Sequence, residues 1–407
     1  MLALTHQPFN GFFLGLDFGT SGARASIIND QHHEVWCAST PWRTAEHPAL
    51  SWQHALIELL TPMPVQYKTN LLGIAVDGTS GTVLLVDQHL QPVTPVLQYN
   101  HPLSADPTAK LSWLKQHDLQ HRGRHLMHQV DYINSQLLGA LPASDINNAL
   151  KTGFDPHEMC WRAGLYTHED ATLLPYIVQP GHRLGTLDTQ FSERLGLNPH
   201  CQVYAGTTDS IAAFIATGEF EPGSAVTSLG STLAIKLVSS HPIHATSHGV
   251  YSHKLGEFWL VGGASNSGGA VLRQYFSNAE LQQLSSQIDP NQDSPYDYYP
   301  LLQSGERFPI ADSSYPPRMT PRPAAPAAWL HGLLQGMARI EAQGYHLLHQ
   351  LGAPFPTHVA TCGGGSHNPI WTTLRERCLG VPIHTALHSE AAYGTATLAA
   401  DNYVAGV

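Results

Sequence analysis

Charge is what this sequence has least of. Asp, Glu, Lys and Arg make up 13% of 407 residues, and 20 Lys and Arg against 31 Asp and Glu leave a net charge of −11. Nucleic acid and anionic membrane surfaces need Lys/Arg patches, so both are excluded as main partners. A phosphate site needs no such surface, because backbone N–H groups, helix N-termini and a divalent cation can build one. Cysteine is also sparse. Cys37, Cys160, Cys201, Cys362 and Cys378 are scattered and odd in number, and no C-x-x-C pair occurs, so neither a disulfide framework nor a zinc knuckle is indicated. No long apolar run exists: Phe12-Phe13-Leu14-Gly15-Leu16 is cut by Asp17, too short for a signal core or a membrane span. The expectation is a reduced, soluble, cytoplasmic protein. No G-x-x-x-x-G-K-[ST] run is present, which excludes a P-loop. The 26 histidines, with His244, His248 and His253 close together, show no H-E-x-x-H or other metal spacing and read as surface or core residues.

What is present is a repeated pattern. The length predicts two or three domains at about 150 residues each. Phe12–Asp17 reads as a strand, Asp17-Phe18-Gly19-Thr20-Ser21-Gly22 as a tight turn, and Ala23–Asn29 as a second strand, together a hairpin. Ile74–Asp77 runs likewise through Gly78-Thr79-Ser80-Gly81 into Val83–Val86. In the second half, Val226–Leu229 runs through Gly230-Ser231-Thr232 into Leu233–Ile235, and Trp259–Gly263 is a related stretch. Recurrence in both halves predicts two domains of similar architecture, joined near 218–223. Helices are predicted over Ser51–Leu60, capped by Ser51, over Ser210–Thr217, and over Ala328–Leu351. The Pro-rich stretch 285–328 reads as a long ordered loop.

Four groups of residues carry chemistry. Glycines in the first turn let backbone approach a phosphate, Thr20 and Ser21 add hydroxyls, and Asp17 can hold a hydrated Mg²⁺. Alone, such a turn is an ordinary polar hairpin. Gly230-Ser231-Thr232 would cover the other side of a polyphosphate if the two domains face each other. Gly363-Gly364-Gly365-Ser366, after the apolar pair Val359-Ala360 and before a helix-like stretch Pro369–Leu379, leaves room for a flat ring. Asp209, in Gly206-Thr207-Thr208-Asp209-Ser210, opens a predicted helix. It reads as a helix cap, as an ionised carboxylate able to take a proton from an attacking hydroxyl, or as both.

Taken in order along the chain, these elements resemble the FGGY family of carbohydrate kinases. Leu14-Gly15-Leu16-Asp17-Phe18-Gly19-Thr20-Ser21 is similar to its first phosphate hairpin. Val130-Asp131-Tyr132 with Leu138-Gly139, and Ser144–Ala149, resemble its first-domain helix and the segment after it. Gly206–Asp209 resembles the catalytic-aspartate segment. Gly262–Asn266 with Gly268-Gly269, then Gly363–Ser366 with Glu390–Ala396, resemble its second-domain signatures.

The resemblance implies an α/β fold of two actin-like ATPase (ribonuclease H-like) domains, 1–219 and 220–407, with a nucleotide cleft between them. It implies ATP and Mg²⁺ as cofactors, with Asp17 and Asp209 near the metal and Asp209 as general base. Gly19, Thr20, Ser21, Gly230, Ser231, Thr232 and Gly268 would hold phosphates. Gly363, Gly364, Gly365, Ser366 and Asn368 would lie on the adenosine side. Asp17, Ser80, Asp209 and Arg43 would face the sugar. Many members carry W-x-D-x-R where this chain reads Gln98-Tyr99-Asn100-His101-Pro102, and the chain is short, as in the ribulose/xylulose kinase-like branch. The expected acceptor is a ketopentose, D-ribulose ahead of D-xylulose, acted on by a monomer or homodimer. A glycerol-kinase-like polyol kinase, a kinase for a short carboxylic acid and a non-catalytic nucleotide sensor are the alternatives.

Overall fold

The apolar run Leu71–Val76 decides how the first sheet is built. In the computed structural model, which describes residues 11–43 and 46–403, it lies in strand β4 (Leu71–Gly78), buried almost throughout. Strands covered on both faces are the ones that pair in parallel. β4 runs parallel to β1 (Phe12–Phe18), which forms the expected hairpin with β2 (Gly22–Asn29); β3 (Glu34–Pro41) follows on the far side of β2. The stretch 83–86 corrects the sequence expectation. It is a strand, β5 (Val83–Val86), but it pairs with β6 (His125–His128) in a separate ribbon and makes no hairpin with β4. Gly81 at φ 85° turns the chain off the sheet before it.

The first sheet is completed by β7 (Arg183–Thr186) and β8 (Gln202–Tyr204), in the order β7-β8-β4-β1-β2-β3. Even-numbered residues Leu14, Leu16 and Phe18 of β1 pack under helix α1 (Pro48–Leu60) and helix α2 (Gln129–Leu138) in one apolar cluster. Odd-numbered residues face the other way, as a two-residue period requires. There Gly15 meets the chain's last helix, Ala391–Asp401, so closely that a Cβ would lie 1.9 Å from the Ala392 carbonyl oxygen. Helix α1 starts at Pro48 with His47 at its cap, earlier than expected; the Ser51 hydroxyl accepts instead from the Arg43 backbone N–H at 3.0 Å. Helix α3 (Asp209–Ile215) is capped by Thr208, so Asp209 is its first residue and not its cap.

The second sheet repeats the plan. β9 (Ser224–Leu229) and β10 (Leu233–Ser239) form a hairpin, β11 (Tyr251–Leu255) and β12 (Phe258–Ser265) follow, and β13 (His358–Cys362) runs parallel to β9 with β14 (Ile383–Thr385) beside it. The order is β11-β12-β10-β9-β13-β14. Leaving out β7 and β11, each sheet has its strands in the order 3-2-1-4-5, counted along its own segment. Helix α5 (Pro326–Gln350), preceded in the chain by the short helix α4 (Gly269–Tyr275), buries Leu330, Leu333, Leu334, Met337 and Ile340, as its periodicity predicts. Helix α6 (Pro369–Leu379) matches its predicted range, and the final helix Ala391–Asp401 is α7. The loop 286–325 has no helix and is pinned from inside by buried Glu306, which accepts from Ser265 Oγ at 2.6 Å and Tyr299 Oη at 2.9 Å.

The chain divides into two compact units: residues up to Ala216 together with those from Glu390 onward, and Thr217–Ser389. The first crossing falls close to the joint expected at 219/220. The second arises because α7 buries Ala396, Ala399 and Ala400 against Phe13, Ile28, Ala75 and Tyr204 of the first sheet.

Candidate active site

In a parallel sheet, ligands meet the chain beyond the carboxyl ends of the strands. Three neighbouring parallel strands of the first unit, β1, β4 and β8, carry the chain to Asp17, Asp77 and, after a short loop, Asp209. A single parallel bridge joins Gly78 to Thr208 and draws the Asp209 segment alongside the end of β4. Asp17 and Asp77 are register partners, 4% and 0% exposed. Their side chains hydrogen-bond to each other. Counted as two ionised carboxylates, Asp17 Oδ1 and Asp77 Oδ1 would each be buried without a partner; one proton between them satisfies both.

Electrostatics assign that proton. Burial pushes Asp77 well above the carboxylate range, the negative charges of Asp17 and Asp209 add to the rise, and the Thr395 hydroxyl bond opposes it. Asp77 is therefore the protonated partner and donates to Asp17, while Thr395 Oγ1 of α7 donates to Asp77 Oδ2. Asp17 is raised by burial, against the lowering effects of the Asp77 bond and the Arg24 cation. Arg24 NH1 reaches Asp17 Oδ2 at 3.1 Å. Asp209 Oδ1 accepts from the Ser210 N–H at 2.6 Å.

Thr20 and Ser21 are exposed in the turn between β1 and β2. The turn is tied by Trp42, whose Nε1 donates to the Gly19 and Thr20 carbonyls at 3.2 and 3.1 Å. Beside it lies a pocket of 250 Å³ lined by Gly19, Thr20, Trp42, Thr79, Tyr99 and Gln129, among others. Arg43 also lines this pocket, but its guanidinium pairs with Glu58 and, at 3.6 Å, Glu46. Gln98 and Tyr99, standing where relatives carry W-x-D-x-R, line it too. Ser80 Oγ is buried without a hydrogen bond to described residues.

In the second unit three turns converge where β9 and β13 end. The Gly269 and Ala270 N–H groups donate to the Gly230 and Ser231 carbonyls at 2.9 and 3.0 Å. Gly363, at φ 83°, lies against Leu229, with a Cβ reaching within 2.8 Å of its carbonyl oxygen. Gly364 has open space above it. Two expected adenosine-side residues make internal bonds: Ser366 Oγ donates to the Gly363 carbonyl at 2.7 Å, and Asn368 caps α6 while its Nδ2 donates to Ser285 Oγ at 2.9 Å. Arg273 NH2 donates to Ser231 Oγ at 2.7 Å, placing a cation at the turn. Beneath, Arg375 and Glu341 form a buried bidentate pair at 2.5 and 2.7 Å that also engages Thr361 and Thr227.

Residues 225–403 match the FGGY family of carbohydrate kinases, C-terminal domain. The chain carries the FGGY kinase C-terminal domain. Along nearly its whole length it is similar to the xylulose kinase of Staphylococcus xylosus, 22% identical over 96% of this chain and 90% of that protein. The ribulokinase of Halalkalibacterium halodurans is 25% identical over 56% of this chain and 53% of its own length. The xylulose kinase structure from Rhodospirillum rubrum superposes with a TM-score of 0.81 at 21% identity, over 97% of this chain and 91% of that one. That likeness shows the fold, in which both sheets follow one strand order. The sequence by itself singles out Asp17, Asp209 and the glycine turns. Asp77, Thr395, Trp42, Gln129 and Arg273 it does not single out, since each acquires its place through pairing with residues remote in sequence.

Proposed function

We propose that the chain is an ATP-dependent carbohydrate kinase that moves the γ-phosphoryl group to a hydroxyl of a small sugar. The observation that carries this reading is the pairing of Asp17 and Asp77 at the ends of two adjacent parallel strands, with Asp209, at the start of the helix after the third strand, close enough to act on Asp77. Asp209 takes the proton of the attacking hydroxyl. Asp77, kept neutral by burial, holds Asp17 in one orientation. The Thr20 and Ser21 turn, and in the second unit the turn Gly230–Thr232 with Arg273, supply donors for phosphate oxygens.

Mg²⁺ brought with the nucleotide would neutralise phosphate charge. Among the described residues no group of three or more His, Cys, Asp or Glu side chains is placed to hold a metal. A magnesium ion that keeps its waters needs only one or two carboxylates besides the phosphates. Asp17, a 4% exposed carboxylate at the end of β1 beside the Gly19–Ser21 turn, fits that requirement as one of the two, and Asp209 is the second carboxylate.

The acceptor we infer is a ketopentose. The short-branch resemblance supports D-ribulose first, and the more extensive match to a xylulose kinase supports D-xylulose beside it. We take the protein to act in the cytoplasm as a monomer or homodimer; among described residues no helix is long and apolar enough to cross a membrane. ADP release measured over D-ribulose, D-xylulose, ribitol, arabinitol and glycerol tests the assignment. A ketopentose should stimulate most, and a polyol giving the highest kcat/KM would overturn it.

A further inference from the structure

Gln129 opens helix α2 and is 3% exposed, yet it lines the pocket beside the Gly19–Thr20 turn. Its side-chain oxygen accepts from the Thr79 backbone N–H at 2.9 Å and from Thr79 Oγ1 at 2.8 Å. A backbone N–H can only donate, so this oxygen cannot be exchanged with the amide nitrogen by a flip. The surrounding backbone is held as well: the Gln129 backbone N–H donates to the Thr82 carbonyl at 3.1 Å, and the Thr79 and Thr82 hydroxyls bond at 2.7 Å. The NH₂ group makes no hydrogen bond to the described protein and is left to the pocket. An amide donor that lines a pocket and has no hydrogen bond to the described protein is free to meet an acceptor on a bound molecule.

The charge of the pocket narrows what that acceptor belongs to. Arg43 and Glu46 are its charged lining residues, and they face each other at 3.6 Å, with Glu58 completing the Arg43 pairing. Lys110 sits near Gly81 but is fully buried, donates to the Lys151 carbonyl at 2.6 Å and does not line this pocket. Among the described residues lining it, no uncompensated cation is present to meet a carboxylate or a phosphate. Trp42 and Trp52 supply flat apolar surface, and Thr79, Tyr99 and Gln129 supply polar edges.

We propose that this pocket holds the phosphoryl acceptor as an uncharged polyhydroxy compound, and that Gln129 Nε2 donates to one of its hydroxyl oxygens and so sets acceptor specificity. The proposal rests on the kinase reading above. A site built to bond a hydroxyl loses much of its affinity when the bond is removed, because its own polar group is left buried and unpaired.

Gln129→Glu keeps the oxygen that Thr79 holds and replaces the NH₂ group by an acceptor; Gln129→Met removes donor and acceptor at similar size. Each variant is first checked for a wild-type melting curve, then assayed with D-ribulose, D-xylulose and, as the carboxylate-bearing control, D-gluconate. KM for the preferred pentulose should rise on the order of 10- to 100-fold, with kcat and the KM for ATP changed far less. Quenching of tryptophan fluorescence by the pentulose without nucleotide should weaken in parallel. Wild type should use gluconate poorly. An unchanged pentulose KM in a folded variant, or gluconate turned over as well as a pentulose, overturns the proposal while leaving the kinase reading standing. A wild type that neither binds nor phosphorylates any of the three removes both.

Discussion

Asp17 and Asp77 face each other as register partners on adjacent parallel strands, and their carboxyl groups are bonded through one proton that burial assigns to Asp77. A neutral amide can reproduce both contacts, donating to Asp17 and accepting from Thr395. Asp77→Asn is therefore expected to change unfolding free energy by less than about 1 kcal/mol at neutral pH, whereas Asp77→Ala leaves buried groups unpaired and costs about 1–3 kcal/mol. Urea unfolding at pH 7 measures both.

The same pair makes a pH prediction. The folded-state value of Asp77 lies above its ordinary 3.8, so the folded protein holds the proton more tightly than the unfolded chain. The resulting stabilisation is complete below the ordinary value and disappears as pH rises through the raised one. Between those limits wild type should lose stability relative to Asp77→Asn as pH increases. Parallel curves for the two proteins would show that Asp77 does not carry the proton.

Asp209→Asn should retain ATP binding and lose phosphoryl transfer by a factor on the order of 10²–10⁴. Stopped-flow nucleotide binding and steady-state turnover separate the two. Nearly unchanged turnover would remove Asp209 from the chemistry.

The triple glycine divides by position. Gly363 has φ 83° and a Cβ would approach Leu229 O to 2.8 Å, while nothing lies within 4 Å of a Cβ on Gly364. Gly363→Ala should destabilise by about 1–3 kcal/mol, and Gly364→Ala by less than about 0.5 kcal/mol. A bulkier Gly364→Leu should keep the melting temperature and raise the KM for ATP, on the order of tenfold. An unaltered KM would take Gly364 out of the nucleotide site.

Glu341 and Arg375 tie β9, β13, α5 and α6 together below that site, at 1% and 0% side-chain exposure. Removing one partner strands the other charge in the core. Glu341→Ala should cost about 3–5 kcal/mol, read as a lower urea midpoint. A midpoint within error of wild type would mean the pair is solvated.

Much of this was legible in the sequence because it is local. Strand-turn-strand alternation around Asp17 and around Gly230 fixed both hairpins, and the spacing of Leu330, Leu333, Leu334 and Met337 fixed the long helix. Pairing is not local. Val83–Val86 reads as a partner for Ile74–Asp77, yet it pairs with His125–His128, which no nearby residue announces. Asp77 gains its meaning from lying beside Asp17, sixty positions away in the chain. Gln129 gains its own from Thr79, and Thr395 from a terminal helix that returns to the first unit.

The most direct measurement is whether ADP and a phosphorylated sugar appear together when wild-type protein is given ATP, Mg²⁺ and a ketopentose, followed by ³¹P NMR. The account predicts equal amounts of ADP and a new phosphate-ester signal, both absent without the sugar. Nucleotide binding with no ester formed from either D-ribulose or D-xylulose, or ATP hydrolysed to free phosphate at a rate indifferent to them, would contradict it.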